Sequence, residues 1–315
     1  MVRSSYTGLS DFHEPALVSE TLQILAIKPG EIWVDLTLGG GGHAEEILQR
    51  LGQSGWLVGL DRDQEACAEA KKRLERFGER AVLLHENFIN LDRVLNEMGV
   101  ARVNGFFMDL GLSAHQLESA NRGFSFQRQG PLDMRMDQRE PETAQAILER
   151  APRKELARII RQYGEEHRAN MIARRITELR ARGRIPSNTI ELRHLIEALN
   201  LRGARTRRIH PATRTFMALR IAVNRELENL EGALPKMMEF LAPGGRIGVI
   251  SYHSLEDRIV KRFFAECARK PEGAGGPRLK ILTKKPIRPS SEEIAGNPHC
   301  RSARLRAAEK IGVMQ

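Results

Sequence analysis

Three carboxylates and a run of glycines carry most of the chemistry in this sequence. Asp35 lies in the apolar run Glu31-Ile32-Trp33-Val34-Asp35-Leu36, and Gly39-Gly40-Gly41-Gly42 follows, ahead of an amphipathic stretch from about His43 to Leu51. Glycines at a strand-to-helix turn let backbone amides approach a ligand, and the helix N-terminus beyond them favours negative charge. Asp61 lies 19 residues after Gly42, at the end of the apolar run 56–60. A carboxylate there can accept both hydroxyls of an adenosine ribose. Asp109 closes a further run, VNGFFMDL, and Asn87-Phe88 follows AVLL, which puts an aromatic ring where it can stack on adenine.

A glycine loop with a strand-terminal acid suits two ligands, a dinucleotide or S-adenosylmethionine. The string DLTLGGGGH does not read G-x-G-x-x-G, so the dinucleotide fingerprint is met only loosely. Asp35 stands ahead of the loop, where a carboxylate can face a cationic amino group or a sulfonium. Both points favour S-adenosylmethionine.

Other residues offer chemistry further along the chain. His253 is a candidate to accept a departing proton, with Asp257 to orient it; the competing reading is a histidine that caps the helix starting at Leu255. Phe124 and Phe126, in RGFSF, are candidates to stack on a base extruded from folded RNA, with Arg122 beside them as an RNA contact. The competing reading is that the two rings anchor a long loop to the core. Arg205, Arg207, Arg208, His210 and Arg214 form a basic run read as phosphate-contacting.

These groups need a scaffold. Over the first 110 residues short apolar runs alternate with amphipathic stretches, the pattern of parallel βαβ units. The spacing predicts strands at 31–36, 56–60, 81–84 and 103–110, and a helix over 64–77. Residues 113–137 show no period and form a long loop. Residues 141–199 read as helices only: Leu156, Ile159, Ile160 and Tyr163 keep i, i+3, i+4, i+7 spacing, and Ile172, Ala173, Ile176 and Leu179 form the next arc. The α/β pattern then resumes with one long helix carrying Phe216, Leu219, Val223, Leu227, Leu230 and Leu234, a turn at 242–245, a strand over 246–252, and a terminal antiparallel hairpin from 279–283 and 303–310. Such a hairpin matches the sheet edge common among methyltransferases that bind S-adenosylmethionine.

The formal charge of the 315 residues is +10. Residues 138–214 hold 18 basic and 9 acidic side chains, and residues 267–315 hold 11 and 4, so the rest of the chain is net acidic. All but Lys154 of the first 18 are arginines, whose forks suit phosphate and base contacts. This distribution suggests a polyanionic partner met by specific surfaces. The three cysteines form no CxxC pair, which points to a reducing cytoplasm and away from a cysteine-based zinc site. No apolar run is long enough to span a bilayer, and the N-terminus lacks the apolar core of a signal peptide.

His13-Glu14-Pro15, DLTLGGGGHAEEIL, LDRD at 60–63, MDLGLSAHQLE, RGFSF, GPLDMRMD and SYHSLEDR together resemble the bacterial 16S rRNA cytosine-N4 methyltransferase family (RsmH, also called MraW), and the likeness spans essentially the whole chain. It implies an α/β, class I Rossmann-like S-adenosylmethionine-dependent methyltransferase with an inserted all-helical domain. Residues 1–112 and 211–315 would form the methyltransferase unit, and 113–210 the inserted loop and substrate-recognition helices. The expected substrate is the exocyclic N4 of one cytidine in the decoding centre of the small ribosomal subunit. The resemblance puts S-adenosylmethionine contacts at Gly41, Gly42, His43, Asp61, Phe88, Asp109 and Gln116. One departure is visible, His299-Cys300 in place of a basic–serine pair.

Methyl transfer from a sulfonium is an in-line displacement that requires no metal. The amine is the harder partner, because its lone pair is delocalised into the ring. Many amino-methyltransferases place an Asp/Asn-Pro-Pro-aromatic motif after the fourth strand to draw on the amine protons, and this chain has Asp109-Leu110-Gly111-Leu112-Ser113 there. Asp109 is therefore expected beside donor and acceptor, with Ser113 or a backbone carbonyl completing the set. Other readings are a methyltransferase for DNA or a small amine, a nicotinamide-dependent oxidoreductase, and a non-catalytic assembly factor. Self-association into a homodimer is left open by the sequence.

Overall fold

A computed structural model describes residues 15–200, 210–269 and 278–311. Seven strands, β1 (Ile32–Asp35), β2 (Trp56–Asp61), β3 (Ala81–His85), β4 (Val103–Asp109), β5 (Leu241–Ser251), β6 (Arg278–Ile281) and β7 (Arg304–Ile311), form one sheet in the order β3-β2-β1-β4-β5-β7-β6. β1 to β5 run parallel, while β7 returns antiparallel between β5 and β6, as the predicted terminal hairpin requires. β2 and β4 are buried along almost their whole length, the near-continuous apolar pattern of strands covered on both faces.

Helices α1 (Val18–Leu25), α2 (Gly42–Leu51) and α3 (Gln64–Leu74) cover one face, where Ile47, Leu48, Leu51 and Leu74 pack with Trp33, Leu57 and Phe107. The opposite face takes α4 (Leu91–Glu97) and two later helices, around Val58, Phe106, Met108 and Val249. Strand order reverses between β1 and its neighbours β2 and β4, so the C-terminal ends of these strands open a crevice at a topological switch point. Asp35, Asp61 and Asp109 are the last residues of β1, β2 and β4.

Residues 113–137 are better ordered than their lack of period suggests. They hold a short helix, α5 (Ala114–Glu118), a single 3-10 turn at Ala120–Arg122, and otherwise non-repeating backbone. Arg122 is the anchor. It is buried, donates to both Asp63 oxygens (2.8 and 3.4 Å) and to Glu65 (2.9 Å), and reaches the carbonyls of Arg135 and Met136. Gly123 must be glycine, since it has φ 71° and a Cβ would collide with the Pro131 carbonyl.

Helices α6 (Ala144–Arg150), α7 (Arg153–Gly164), α8 (Ala169–Arg180), α9 (Thr189–Asn200) and α10 (Thr213–Asn224) follow. They share a second apolar core that includes Phe124, Leu132 and Met134 from the loop, Leu156, Ile160, Ile172 and Ile176, and Phe216 and Leu219 from α10. Packing thus carries the helical core past residue 211 to Val223. The expected single long helix is two, α10 and α11 (Glu226–Phe240), broken at Arg225, whose backbone is left-handed (φ 49°, ψ 39°). Long-range bonds fix the end of α10 at Asn224: its Oδ1 accepts from the Met136 amide (2.8 Å) and its Nδ2 donates to the Met134 carbonyl (2.7 Å). Residues 242–245, read as a turn, form a bulge inside β5, where the register with β4 shifts. The last long helix, α12 (Ser254–Arg269), follows β5, and among the described residues no helix is long and apolar enough to cross a membrane.

Removing one member of a buried ion pair strands the other. Arg122→Met is therefore expected to lower the unfolding free energy by about 3–5 kcal/mol, read as a drop in the urea midpoint. An unchanged midpoint would show that Arg122 does not hold the loop.

Candidate active site

The crevice above β1, β2 and β4 is lined by the glycine turn, by all but Asp35 of the three strand-terminal acids, and by residues of both cores. Gly41 has φ 82° and precedes α2, and a Cβ at Gly42 would sit 2.9 Å from the Pro15 ring. The turn is thus packed too tightly for a side chain at Gly42, and Gly39, Gly40 and Gly42 of it line the crevice while Gly41 backs on Ala70 and Leu74. Asp61 is held by the amides of Gly39 and Asp63, both at 2.8 Å, yet burial still pushes its carboxyl above the usual range.

Asp35, at the end of β1, is fully buried outside the crevice lining. Its Oδ1 accepts from the Thr37 amide (3.1 Å), while Oδ2 is buried with no hydrogen-bond partner. Burial, opposed in part by the Thr37 bond and His43, pushes its carboxyl from 3.8 up to about 7. Asp109 has one oxygen 3.4 Å from His43 Nε2, and its Oδ1 is buried and unpartnered. The Thr37 hydroxyl accepts from the Asp109 amide (2.5 Å) and so ties the ends of β1 and β4 together. Half-buried Tyr252 lies against Gly111, and desolvation of its phenol together with the Asp109 charge keeps it protonated.

Other residues singled out from the sequence fall in varied places. Phe88 is buried and lines the crevice from a 3-10 turn capped by Asn87. Gln116 and Ser113 also line it, but they are engaged with each other as the capping box of α5, and Gln116 Nε2 donates to Asp63 (2.6 Å). His253 caps α12: its Nδ1 accepts from the Glu256 amide (3.4 Å), and its Nε2 lies 3.2 Å from Glu256 Oε1, out of line for a hydrogen bond.

Asp257, Arg122 and the two phenylalanines are placed otherwise than expected. Asp257 does not orient His253; its carboxylate holds Arg306 of β7 at 2.6 and 3.2 Å, and the acid that faces His253 is Glu256. Arg122 faces inward, its guanidinium held by Asp63 and Glu65 rather than presented at the surface. Phe124 is buried in the helical core, and Phe126 is stacked on His210 (4.7 Å) and packed edge-on to Phe216 (5.1 Å), so both rings anchor the loop. Arg214 donates to the Glu165 carbonyl from an exposed position. Arg205, Arg207 and Arg208 lie outside the described residues.

Arg62, Glu226 and Glu256 line the crevice without having been singled out. Glu256 had a signal, since an acid three residues after a capping position closes a capping box, and it accepts from the Tyr252 and His253 amides. Glu226, His253 and Glu256 bring ligand atoms within 4.8 Å of one another. Arg220, however, already engages both Glu226 oxygens at 2.8 Å, and its charge opposes a cation there.

The crevice brings together a glycine turn, a strand-terminal acid held by two backbone amides, and a second strand-terminal acid with an unpartnered oxygen. This fold and site define a class I methyltransferase, and its cofactor is S-adenosylmethionine. The chain belongs to the MraW methylase family, which matches residues 10–311. It is 48% identical over 309 residues to the ribosomal RNA small subunit methyltransferase H of Heliobacterium modesticaldum, covering 95% of this chain and 98% of that one. It is likewise 48% identical to the protein of that name from Geobacter sulfurreducens, covering 95% and 99%. Among solved structures, an rRNA methylase from Streptococcus thermophilus aligns with a TM-score of 0.45 at 10% identity, over 95% of this chain and 99% of that one.

Because the folded chain holds the Asp35 proton more tightly than the unfolded one, ionising it costs stability as pH climbs from 3.8 toward about 7. A cationic ligand favours the ionised form, so affinity for S-adenosylmethionine is expected to rise about tenfold between pH 6 and pH 8. Calorimetry across that range checks this, and Asp35→Asn should flatten the profile. A level profile in the unmodified chain would remove Asp35 from cofactor binding.

Proposed function

We propose that this protein methylates the exocyclic N4 of a cytidine in the decoding centre of 16S ribosomal RNA, with S-adenosylmethionine as donor. The observation that carries the reading is Asp109, a half-buried carboxylate at the end of β4 whose Oδ1 is buried and unpartnered. The names of the relatives support ribosomal RNA of the small subunit as the substrate, and the arginine-rich segment 138–214 supports a polyanion.

The cofactor, when bound, supplies an activated methyl group on a sulfonium. Gly41, Gly42 and His43 form its cradle, Asp61 accepts the ribose hydroxyls, Asp35 faces the cationic end, and Phe88 packs against the base. Gln116 closes the side from the insertion. Asp109 accepts a hydrogen bond from the cytosine amine, which localises the nitrogen lone pair toward the methyl carbon, and it takes the proton that leaves as the new bond forms. Ser113 borders the same space. His253, fixed by Glu256, is the next group through which that proton can leave the crevice. Holding the two partners in line at near-contact distance supplies much of the acceleration.

Mass spectrometry of ribosomal RNA nucleosides from cells with and without the protein should show N4-methylcytidine only where it is present. Asp109→Asn should reduce transfer to small subunits by well over tenfold, a loss above ~1.4 kcal/mol in the barrier. A rate within tenfold of wild type would confine Asp109 to cofactor binding. Arg207 and Arg208 are proposed phosphate contacts, together with Arg205 and Arg214. Neutralising Arg207 and Arg208 should weaken RNA binding and flatten its salt dependence, and an unchanged slope would refute that role.

A further inference from the structure

The residues that follow Asp61 reach away from the cofactor. The guanidinium of Arg62 is half-buried at the crevice wall; Nη1 donates to the Asn224 carbonyl (2.7 Å) and Nη2 to the Met136 sulfur (2.9 Å). Asn224 ends α10, the last helix of the second core, and Met136 ends the long loop that opens it. These two points are bonded to each other through the Asn224 carboxamide. Arg62 therefore touches the outgoing and returning strands of the insertion at one spot. Its neighbour Asp63 makes a second attachment, to Arg122 and Gln116.

A half-buried guanidinium without a charge partner is an expensive way to make such a joint. Among the described residues no carboxylate pairs with Arg62 at ion-pair distance; one of its two acceptors is a carbonyl and the other a thioether, a weak acceptor. Burial accordingly lowers its affinity for the proton, while the more distant Glu226 and Asp61 partly oppose that. A methionine or leucine would fill the space at lower desolvation cost. What only the rigid fork provides is a fixed distance from the end of β2 to two separate points of the insertion.

We infer that Arg62 is a positioning residue that registers the inserted helical segment to the cofactor end of the crevice, so that cofactor binding and seating of the insertion are linked. Asp61, Arg62 and Asp63 are consecutive, and the Asp61 carboxylate also accepts the Asp63 amide (2.8 Å). A nucleoside that fixes Asp61 fixes the backbone from which both attachments spring. The linkage is reciprocal, and a joint that slackens by about 1 Å costs on the order of a hundredfold in transfer.

The test uses the full chain with Arg62→Met and Arg62→Lys. Calorimetry gives the affinity for S-adenosylmethionine, single-turnover transfer to small subunits gives the rate, and hydrogen exchange is followed in 132–137 and 213–224 with and without the cofactor. The expected result is cofactor affinity within threefold of wild type, a transfer rate at saturation at least thirtyfold lower, and loss of cofactor-induced protection in both segments. Arg62→Lys, which keeps the charge but not the fork, should fall in the same direction and carries the test if Arg62→Met does not fold. Transfer within threefold of wild type overturns the inference, as does protection that persists in the variants. So does cofactor affinity that falls as far as the rate, which would make Arg62 a cofactor contact. The rate measurement rests on the function proposed above, whereas affinity and exchange need no RNA. Wild type that shows the protection but no N4-methylcytidine would therefore sink the function and leave the linkage standing.

Discussion

Everything in the crevice depends on the cost of crowding negative charge at a nearly dry sheet edge. Asp35, Asp61 and Asp109 end three adjacent parallel strands, and the charges of the last two add to burial in raising the cost of ionising Asp35. Backbone amides answer part of that cost: Thr37 bonds Asp35, and Gly39 and Asp63 bond Asp61. One oxygen on Asp35 and one on Asp109 remain unanswered. A buried acceptor without a donor is destabilising, so the arrangement makes physical sense only with a ligand that brings positive charge and N–H or O–H groups. A sulfonium-bearing amino acid joined to a ribose brings both. The glycine turn then follows as a requirement, because a side chain at Gly42 would press on Pro15 and displace the backbone that receives the ligand.

The insertion is bound to this edge by polar bonds rather than by a shared apolar core. The helical core and the two sheet-facing cores form three distinct sets of residues. Between them run the buried Arg122–Asp63 pair, the Gln116–Asp63 bond, and Arg62 to Asn224 and Met136. Bonds of this kind have direction and fixed length, and they fix register where apolar contact alone tolerates sliding. They all converge on Arg62 and Asp63, the two residues that directly follow Asp61. Arg225 contributes to the same joint, since its left-handed backbone ends one helix and starts another, letting Arg220 clamp Glu226 across the break.

What could be read from the sequence, and what could not, divides along the range of the interactions. Strands ending in acids were legible because an apolar run followed by a carboxylate is a local pattern, and so were the amphipathic arcs of α7 and α8. The break at Arg225 was not, because the apolar spacing from Phe216 through Leu234 continues across it and nothing local marks a left-handed arginine. The fate of Asn224 is decided 88 residues away, at Met136. Arg122, Phe124 and Phe126 look like an RNA-facing cluster in one dimension, but a buried carboxylate 59 residues earlier turns the arginine inward, and the rings follow it into the core. Asp257 and Glu256 differ by one position, yet one residue turns a helix by about 100°. That rotation sends Asp257 to Arg306 and leaves Glu256 facing His253.

The placement of charge also bears on how RNA would meet this crevice. The arginine-rich segment is strongly basic, whereas the crevice is lined by Asp61, Asp109, Glu226 and Glu256. A phosphate backbone is attracted to the first surface and repelled by the second. On the proposed function, the strand is therefore held outside while a single base, which carries no charge and offers amine protons, enters the acidic interior. Extrusion of that base costs stacking energy, and carboxylate acceptors inside offset it only for a base with donors to give. Cytosine offers an amine at the position where uracil offers a carbonyl. On that proposed function, an acidic crevice in a basic protein would select both the state of the nucleotide, unstacked, and its edge, amino, before any methyl group moves.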